Sequence, residues 1–310
     1  MAIAMKGKDL VSIHDLSREE TEQILDTAHI LKMKHKLGEI YHPLKGKTLG
    51  MIFQKSSTRT RVSFEVGMWQ LGGYALFLGA NDLQLNRGET IADTARNLSR
   101  YLDGIMIRTF AHQDVIDLAE YSSVPVINGL TDLLHPCQVL ADLFTIKEKK
   151  NNLVGLKLAY IGDGNNMAHS LMFGGAKMGM HIVICSPSGF EPDPEVTRLS
   201  KLDAAKSGAT ITIKNDPAEA VQAADIIYTD VWTSMGMEAE YEQRLKIFSR
   251  FQVNGALLEK AKEDVLVMHC LPAHRGEEIT DEVIDGIHSI VFDQAENRLH
   301  VQKAIMALVM

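Results

Sequence analysis

This 310-residue chain is poor in several features, and each absence narrows what it can be. Cysteine is scarce. Cys137, Cys185 and Cys270 form an odd, sparse set with no metal-ligand spacing. Such a set fits a reducing cytoplasm, and no metal site is expected from it. Nowhere does an uninterrupted apolar run approach the ~20 residues of a membrane span. The opening Met1–Lys8 segment lacks an apolar core long enough for a signal peptide. Positive charge is not in excess either: 32 Lys and Arg against 40 Asp and Glu leave a net charge of −8. That balance argues against a nucleic-acid surface, so any anion site must be a local concentration of cations. A G-x-x-x-x-G-K-[ST] loop is missing, which excludes a Walker-type nucleotide site. Low-complexity segments, heptads and short repeats are missing as well.

What is present reads as a globular protein, 45% apolar and 23% charged. The length is generous for one core and predicts two domains. Ser17-Arg18-Glu19-Glu20 is a capping box that opens a helix running to about Leu37-Gly38. Strand 47–53, helix 58–71, strand 74–78, a polar loop over 81–88, a helix from about Glu89 to Tyr101, strand 105–108, helix 112–121 and strand 124–128 follow. A long helix then runs to Lys150, and its charged end at Lys147–Asn152 marks the boundary. The rhythm restarts with strand 156–161, helix 166–179, strand 181–185, helix 194–207, strand 210–214, helix 217–223 and strand 225–229. A loop over 230–242, helix 255–262, strand 265–269, loop 270–280, strand 289–292 and a helix from about Asn297 to Met310 complete it. Strands alternating with helices predict α/β architecture: two doubly wound parallel-sheet domains with the active site in the cleft between them. The expected division is 1–150, with the terminal helix at about 296–310 packing back on it, and 151–295.

One stretch organises the first half. The apolar strand Thr48–Phe53 runs into Ser57-Thr58-Arg59-Thr60-Arg61 and then a helix. Phe64, Met68 and Leu71 mark one helical face; Val62, Val66 and Trp69 mark the neighbouring one. At that turn, free backbone N–H groups and the positive end of the helix dipole coincide with hydroxyls and guanidiniums, a setting for a phosphate. The bland alternative is a helix capped by Ser57 with two solvated arginines.

The other polar clusters also follow strand ends: Arg108-Thr109, His135-Pro136-Cys137-Gln138, Gly162-Asp163-Gly164-Asn165-Asn166, Asp230 with Ser234-Met235-Gly236, His269-Cys270-Leu271-Pro272, and Glu296-Asn297-Arg298. Gly162-Asp163-Gly164-Asn165-Asn166-Met167 imitates a dinucleotide fingerprint, but Met167 stands where the third glycine belongs. The following strand also ends in Ser186-Pro187 without an acid for a ribose. The two glycines permit close approach of a ligand to the backbone, with Asn166 facing it. Taken singly, His135 and His269 read equally well as hydrogen-bonded core histidines, Cys270 as a small buried residue and Asp230 as a turn residue. No sequence feature guarantees Cys270 a lowered pKa. The loop after Asp230 reads as a lid.

Taken together, Ser57–Arg61, His135–Gln138, Asp230 with Ser234–Gly236, and His269–Pro272 resemble the aspartate/ornithine carbamoyltransferase family over the whole chain. The last two motifs are similar to its ornithine branch. An aspartate-acting member would show His-Pro-Leu-Pro in place of His269–Pro272 and a lysine in loop 81–88, where Gln84 and Arg87 stand. The resemblance implies carbamoyl transfer from carbamoyl phosphate to the δ-amine of L-ornithine, giving citrulline and phosphate in arginine metabolism. It implies that Ser57, Thr58, Arg59 and Thr60 hold the phosphate, joined by Gln84 of the same or a neighbouring subunit. It further implies that Arg108, His135 and Gln138, with Pro136 and Cys137 between them, hold the carbamoyl end, Thr60 and Arg298 assisting. Asn166, Asp230, Ser234 and Met235 would bind ornithine, and Cys270 and Leu271 would count among the carbamoyl phosphate-binding residues while bordering the reacting amine. Arg108, His135, Asp230 and Cys270 would be catalytic. Neither cofactor nor metal is implied, and the assembly would be a homotrimer or a multiple of it. Competing readings are a sister transferase acting on N-acetylornithine or putrescine, a silent phosphate-binding paralogue, and a dinucleotide-dependent enzyme.

Overall fold

A computed structural model describes residues 3–84, 88–233 and 238–310. The chain divides into two compact units, Met1–Phe144 with Glu296–Met310, and Thr145–Ala295.

In the first unit the elements are α1 (Arg18–Lys36), β1 (Thr48–Phe53), α2 (Thr58–Gln70), β2 (Tyr74–Gly79), α3 (Ile91–Leu98), β3 (Gly104–Arg108), α4 (His112–Tyr121) and β4 (Val126–Leu130). The helix α5 (Pro136–Lys150) begins there and ends in the second unit. The sheet is fully parallel, in the order β2-β1-β3-β4, with Phe53 level with Arg108. Parallel strands covered on both faces are buried throughout, and β1, β3 and β4 are apolar along almost their whole length for that reason. Ile52, Ile105, Ile107, Val115 and Val126 form the centre of one core cluster.

The second unit continues with β5 (Lys157–Ile161), α6 (Asn166–Lys177), β6 (His181–Cys185), α7 (Pro194–Ser207), β7 (Ile211–Lys214), α8 (Pro217–Val221), β8 (Ile226–Thr229), α9 (Tyr241–Phe248), α10 (Gly255–Leu258), β9 (Leu266–His269) and α11 (Asp281–Ile284). Its sheet, also parallel, has the order β7-β6-β5-β8-β9. Helix α12 (Val291–Val309) starts in this unit and ends in the first.

Several elements depart from the sequence reading, among them the helix read at 255–262, which spans only Gly255–Leu258, and α11, which the reading lacks. The apolar run at 289–292 is not a strand: Ser289 makes a single bridge to Val267, and α12 begins at Val291. The buried positions in the first two turns of that helix are Val291, Gln294, Asn297 and Arg298, at helical spacing, but three of the four are polar and hide the period. Helix α9 starts where the loop read over 230–242 ends and fills a stretch to which the sequence reading assigns no element, its inward side chains being Arg244 and Phe248. On α2, Phe64, Met68 and Leu71 are buried, whereas Val62 and Trp69 are exposed, Trp69 by 75%.

Helix α1 opens as its sequence dictates. Ser17 Oγ accepts from Glu20 N at 3.0 Å, and Glu20 returns a carboxylate oxygen to Ser17 N at 2.7 Å. Ser17→Ala should therefore weaken this end of the helix by about 1 kcal/mol. Faster hydrogen exchange of the Glu20 amide is the expected readout; unchanged exchange would contradict the role of the cap.

Candidate active site

Parallel sheets collect ligands beyond the carboxyl ends of their strands, where the strand order reverses. In the first unit that point lies between β1 and β3, and in the second between β5 and β8. The polar residues named above fall at both.

At the first point, Ser57 caps α2, its Oγ accepting from Thr60 N at 3.2 Å. Ser57 Oγ also donates to Thr60 Oγ1 at 3.1 Å, and Arg298 Nη2 donates to the same oxygen at 3.2 Å. A hydroxyl that has accepted twice keeps its own hydrogen for a third partner. Thr58 is exposed and Arg59 half-buried on the first turn, both at the positive end of the helix dipole. Arg108 ends β3, buried, its Nε donating to the carbonyl of Lys55 at 3.2 Å. Lys55 itself lies over the ring of Phe110 and pairs with Asp132 at 3.0 Å.

His135 and Gln138 stand at the start of α5. Gln138 is oriented from both sides: its oxygen accepts from Arg298 Nη1 at 2.6 Å and its nitrogen donates to Asp142 at 2.8 Å. Gln302, with its amide oxygen toward Arg298, accepts from Nε at 3.1 Å and Nη2 at 2.8 Å. Pro136 is the first residue of α5. Cys137 is buried with its Sγ on the carbonyl of Asn128 at 3.3 Å, and burial pushes its thiol up to about 12. Its side chain is structural, so any part in ligand binding falls to its main chain. Gln84 is exposed beyond β2; its carbonyl accepts from Glu89 N.

Four cations act on His135. Burial, then Arg298, Arg108, Arg59 and Lys55, hold its imidazole well below the usual histidine range. It is therefore neutral at physiological pH, with one N–H to donate and one nitrogen to accept.

At the second point, Asn165 caps α6 through its side-chain oxygen, which accepts from Met167 N at 2.9 Å. Its amide nitrogen donates to Asp230 Oδ2 at 3.0 Å, across the gap between β5 and β8. The other oxygen of Asp230 accepts from Val231 N at 2.8 Å and from Cys270 Sγ at 3.0 Å. Asp230 is buried and Cys270 half-buried, while Leu271, at φ +59°, packs on the core of this unit. Asn166 is the first residue of α6 and half-buried, its carbonyl accepting from Ser170 Oγ. Ser234 and Met235 lie outside the described residues.

Two features here were not read from the sequence. Asn165, not only Asn166, belongs to the site, because it orients Asp230; its position before an apolar helix was the available signal. Arg244, on α9, donates to Asp163 at 2.8 Å and to the carbonyl of Trp232 at 2.9 Å, fixing the chain on either side of the strand ends. Burial raises Asp163 even so, outweighing the guanidinium. The expectation that Gly164 serves a close ligand approach is also corrected. A Cβ there would meet the backbone at Glu191–Pro192 within 2.4 Å, so the glycine accommodates the protein's own chain.

Asp230, His269 and Cys270 bring donor atoms within 4.8 Å of one another, as a metal site would. His269 is a poor ligand, however: Nδ1 accepts from Leu271 N at 2.8 Å and Nε2 faces Glu278 at 3.0 Å.

Polar residues gathered at the order reversals of two parallel sheets define a ligand-binding protein of the doubly wound α/β class. Two family models match, "Aspartate/ornithine carbamoyltransferase, carbamoyl-P binding domain" over residues 8–148 and "Aspartate/ornithine carbamoyltransferase, Asp/Orn binding domain" over 154–309. The chain belongs to the aspartate/ornithine carbamoyltransferase family. It is 61% identical to an ornithine carbamoyltransferase of Thermococcus kodakarensis, covering all of this chain and 98% of that protein. Identity is 62% to one from Oceanobacillus iheyensis, covering 99% and 95%. The solved ornithine carbamoyltransferase of Pyrococcus furiosus superposes with a TM-score of 0.97 at 58% identity, covering 100% and 99%.

A histidine kept neutral by the fold binds fewer protons than it would in the unfolded chain. Below its unfolded value near ~6.5, stability should therefore fall as pH falls, by at most ~1.4 kcal/mol per pH unit for this one group. Urea titrations between pH 7.5 and 5 should show that slope flattened in His135→Gln; an equal slope in both proteins would contradict a depressed His135.

Proposed function

We propose that this protein transfers the carbamoyl group of carbamoyl phosphate to the δ-amine of L-ornithine, releasing citrulline and phosphate. The observation that carries this reading is the cation group around His135 in the first unit; the Asp230–Cys270 contact within the second unit supplies the chemistry an amine needs. Carbamoyl phosphate is a dianion whose carbonyl must be polarised; ornithine offers an amine that must lose a proton.

In this reading Ser57, Thr58, Arg59 and Thr60 hold the phosphate. The capped N-terminus of α2 supplies N–H donors and dipole, and Arg59 supplies charge in fork geometry. Arg108, Gln138 and Arg298 surround the carbamoyl group, and neutral His135 donates to its oxygen without adding a further positive charge. Gln84 reaches the phosphate of a neighbouring subunit. Asn166, Asp230, Ser234 and Met235 bind the amino-acid end of ornithine, and Cys270 and Leu271 border its amine.

Attack of the neutral amine on the carbonyl carbon forms the C–N bond and puts negative charge on the oxygen. Positioned donors at such an oxyanion lower the barrier by ~3 kcal/mol each. Collapse breaks the carbon–oxygen bond to phosphate, which leaves with the electron pair and takes the proton the nitrogen gives up. A free alkyl amine has a pKa near ~10.4 and is mostly charged at neutral pH. Asp230, held by Asn165 and by the thiol of Cys270, steers it and helps manage that proton. The reactive group arrives already activated on phosphate, so the reaction requires no cofactor.

The working form is a homotrimer or a multiple of it, in the cytoplasm. Val62, Trp69 and Tyr74, large apolar side chains exposed on α2 and β2, support assembly. No described helix is long and apolar enough to cross a membrane.

Ureido-product assays with ornithine, N-acetylornithine, putrescine and aspartate test the substrate. Turnover with ornithine alone is expected, and preference for any of the others would replace this reading with that of a sister enzyme. Arg59→Gln should abolish carbamoyl phosphate binding in calorimetry while the far-UV CD spectrum stays the same; retained affinity refutes its role. Cys270→Ala should lower kcat by ~100-fold and change the pH–rate profile. An unchanged profile removes Cys270 from proton handling.

A further inference from the structure

The turn that carries Cys270 is held from behind by two residues that no role in the reaction has yet claimed. His269, the last residue of β9, is fully buried and fixed at three points. Its N–H donates to Gln294 Oε1 at 3.0 Å, its Nδ1 accepts from the Leu271 N–H at 2.8 Å, and its Nε2 lies 3.0 Å from Glu278 Oε1. A backbone N–H can only donate, so Nδ1 carries no proton. The proton of the neutral ring then sits on Nε2 and points at the Glu278 carboxylate.

Glu278 is itself fully buried and anchored. Its carbonyl accepts from Val253 N at 2.8 Å, and its Oε1 accepts a second bond from His274 N at 2.6 Å. Val253 and the neighbouring Ile279 pair in a bridge, so the backbone that carries this carboxylate is tied to a segment outside the turn, while the carboxylate itself also holds the His274 amide. At the far side of His269, Leu271 adopts a left-handed φ of +59°, a conformation in which a branched side chain needs outside support. Between these two fixed ends lies Cys270, whose Sγ reaches Asp230 at 3.0 Å.

We propose that Glu278 and His269 act as a positioning pair: the buried carboxylate selects the Nε2–H tautomer, and Nδ1 then clamps the Leu271 amide and sets Cys270 against Asp230. Neither residue touches a substrate. This is the logic of a carboxylate orienting a histidine that orients a third group, applied here to a backbone amide. The inference deepens the proposed function, on which it rests. It assigns to Glu278 control over the amine side of the reaction and none over the grip on the phosphate, whose residues Ser57, Thr58, Arg59 and Thr60 lie in the other unit.

The test uses side chains that separate the two ends of the imidazole. In His269→Asn the amide oxygen stands where Nδ1 stood and can hold the Leu271 N–H; in His269→Gln the amide reaches Glu278 and leaves the Leu271 N–H without its acceptor. The expected result is kcat within ~10-fold of wild type for His269→Asn and ~100-fold lower for His269→Gln, with KM for carbamoyl phosphate unchanged in both. Glu278→Gln, whose oxygen still accepts from both nitrogens, should keep kcat within ~10-fold, while Glu278→Ala should lose ~100-fold. The proposal is overturned if His269→Gln and Glu278→Ala keep wild-type kcat. It is equally overturned if the Asn and Gln variants lose activity alike, in step with melting temperature. Failure of wild-type protein to carbamoylate ornithine would instead sink the functional reading. The clamp is then read directly from hydrogen exchange of the Leu271 amide, expected to be slow in wild type and His269→Asn and at least ~10-fold faster in His269→Gln. Equal exchange in all three overturns it.

Discussion

Cations that repel one another have to be held together before any anion arrives, and much of the first unit is organised by that constraint. Arg59, Arg108, Arg298 and Lys55 all bear on one buried imidazole. Coulomb repulsion among them is strong wherever water is excluded. The fold offsets it with oriented acceptors: the oxygens of Gln138 and Gln302 and the hydroxyl of Thr60 on Arg298, the Lys55 carbonyl on Arg108, and Asp132 on Lys55. Asp142 acts at one remove by fixing which end of the Gln138 amide faces the guanidinium. The cost of assembling this charge becomes binding energy when a dianion enters, which is preorganisation in the strict sense.

The second unit answers with the opposite arrangement. Its strand ends present a buried carboxylate, Asp230, whose oxygens are oriented by an amide, a backbone N–H and a thiol. Such a carboxylate attracts a cationic amine. The clamp formed by Glu278 and His269 belongs to the same design, since a thiol on a turn is only as well placed as the backbone under it. Group transfer then needs no bound cofactor, because the leaving phosphate is already attached to the group being moved.

Much of this was legible in the sequence because its signals were local. The Ser17 capping box, the βα alternation and the strand-to-helix turn at Ser57 each depend on residues a few positions apart, and the structure has all three. What was not legible depends on distant partners. The start of α12 was hidden because Gln294, Asn297 and Arg298 are buried polar residues with partners on other elements, such as Tyr228 and Lys32. Gly164 looked like a ligand cradle because the backbone it accommodates is nearly thirty residues further on. Asn165 is not distinguishable from its neighbour in sequence, because only the folded sheet brings β8 beside β5 and Asp230 to its amide.

The claim that stored charge at the β1 and β3 strand ends awaits a dianion is tested most directly by thermal unfolding of the unliganded protein against inorganic phosphate at constant ionic strength. A ligand that binds only the folded state stabilises it by RT ln(1 + [L]/Kd). The account predicts a saturable rise in melting temperature with phosphate that chloride does not reproduce and that Arg59→Gln reduces. A melting temperature indifferent to phosphate, or one that chloride raises equally, would contradict it.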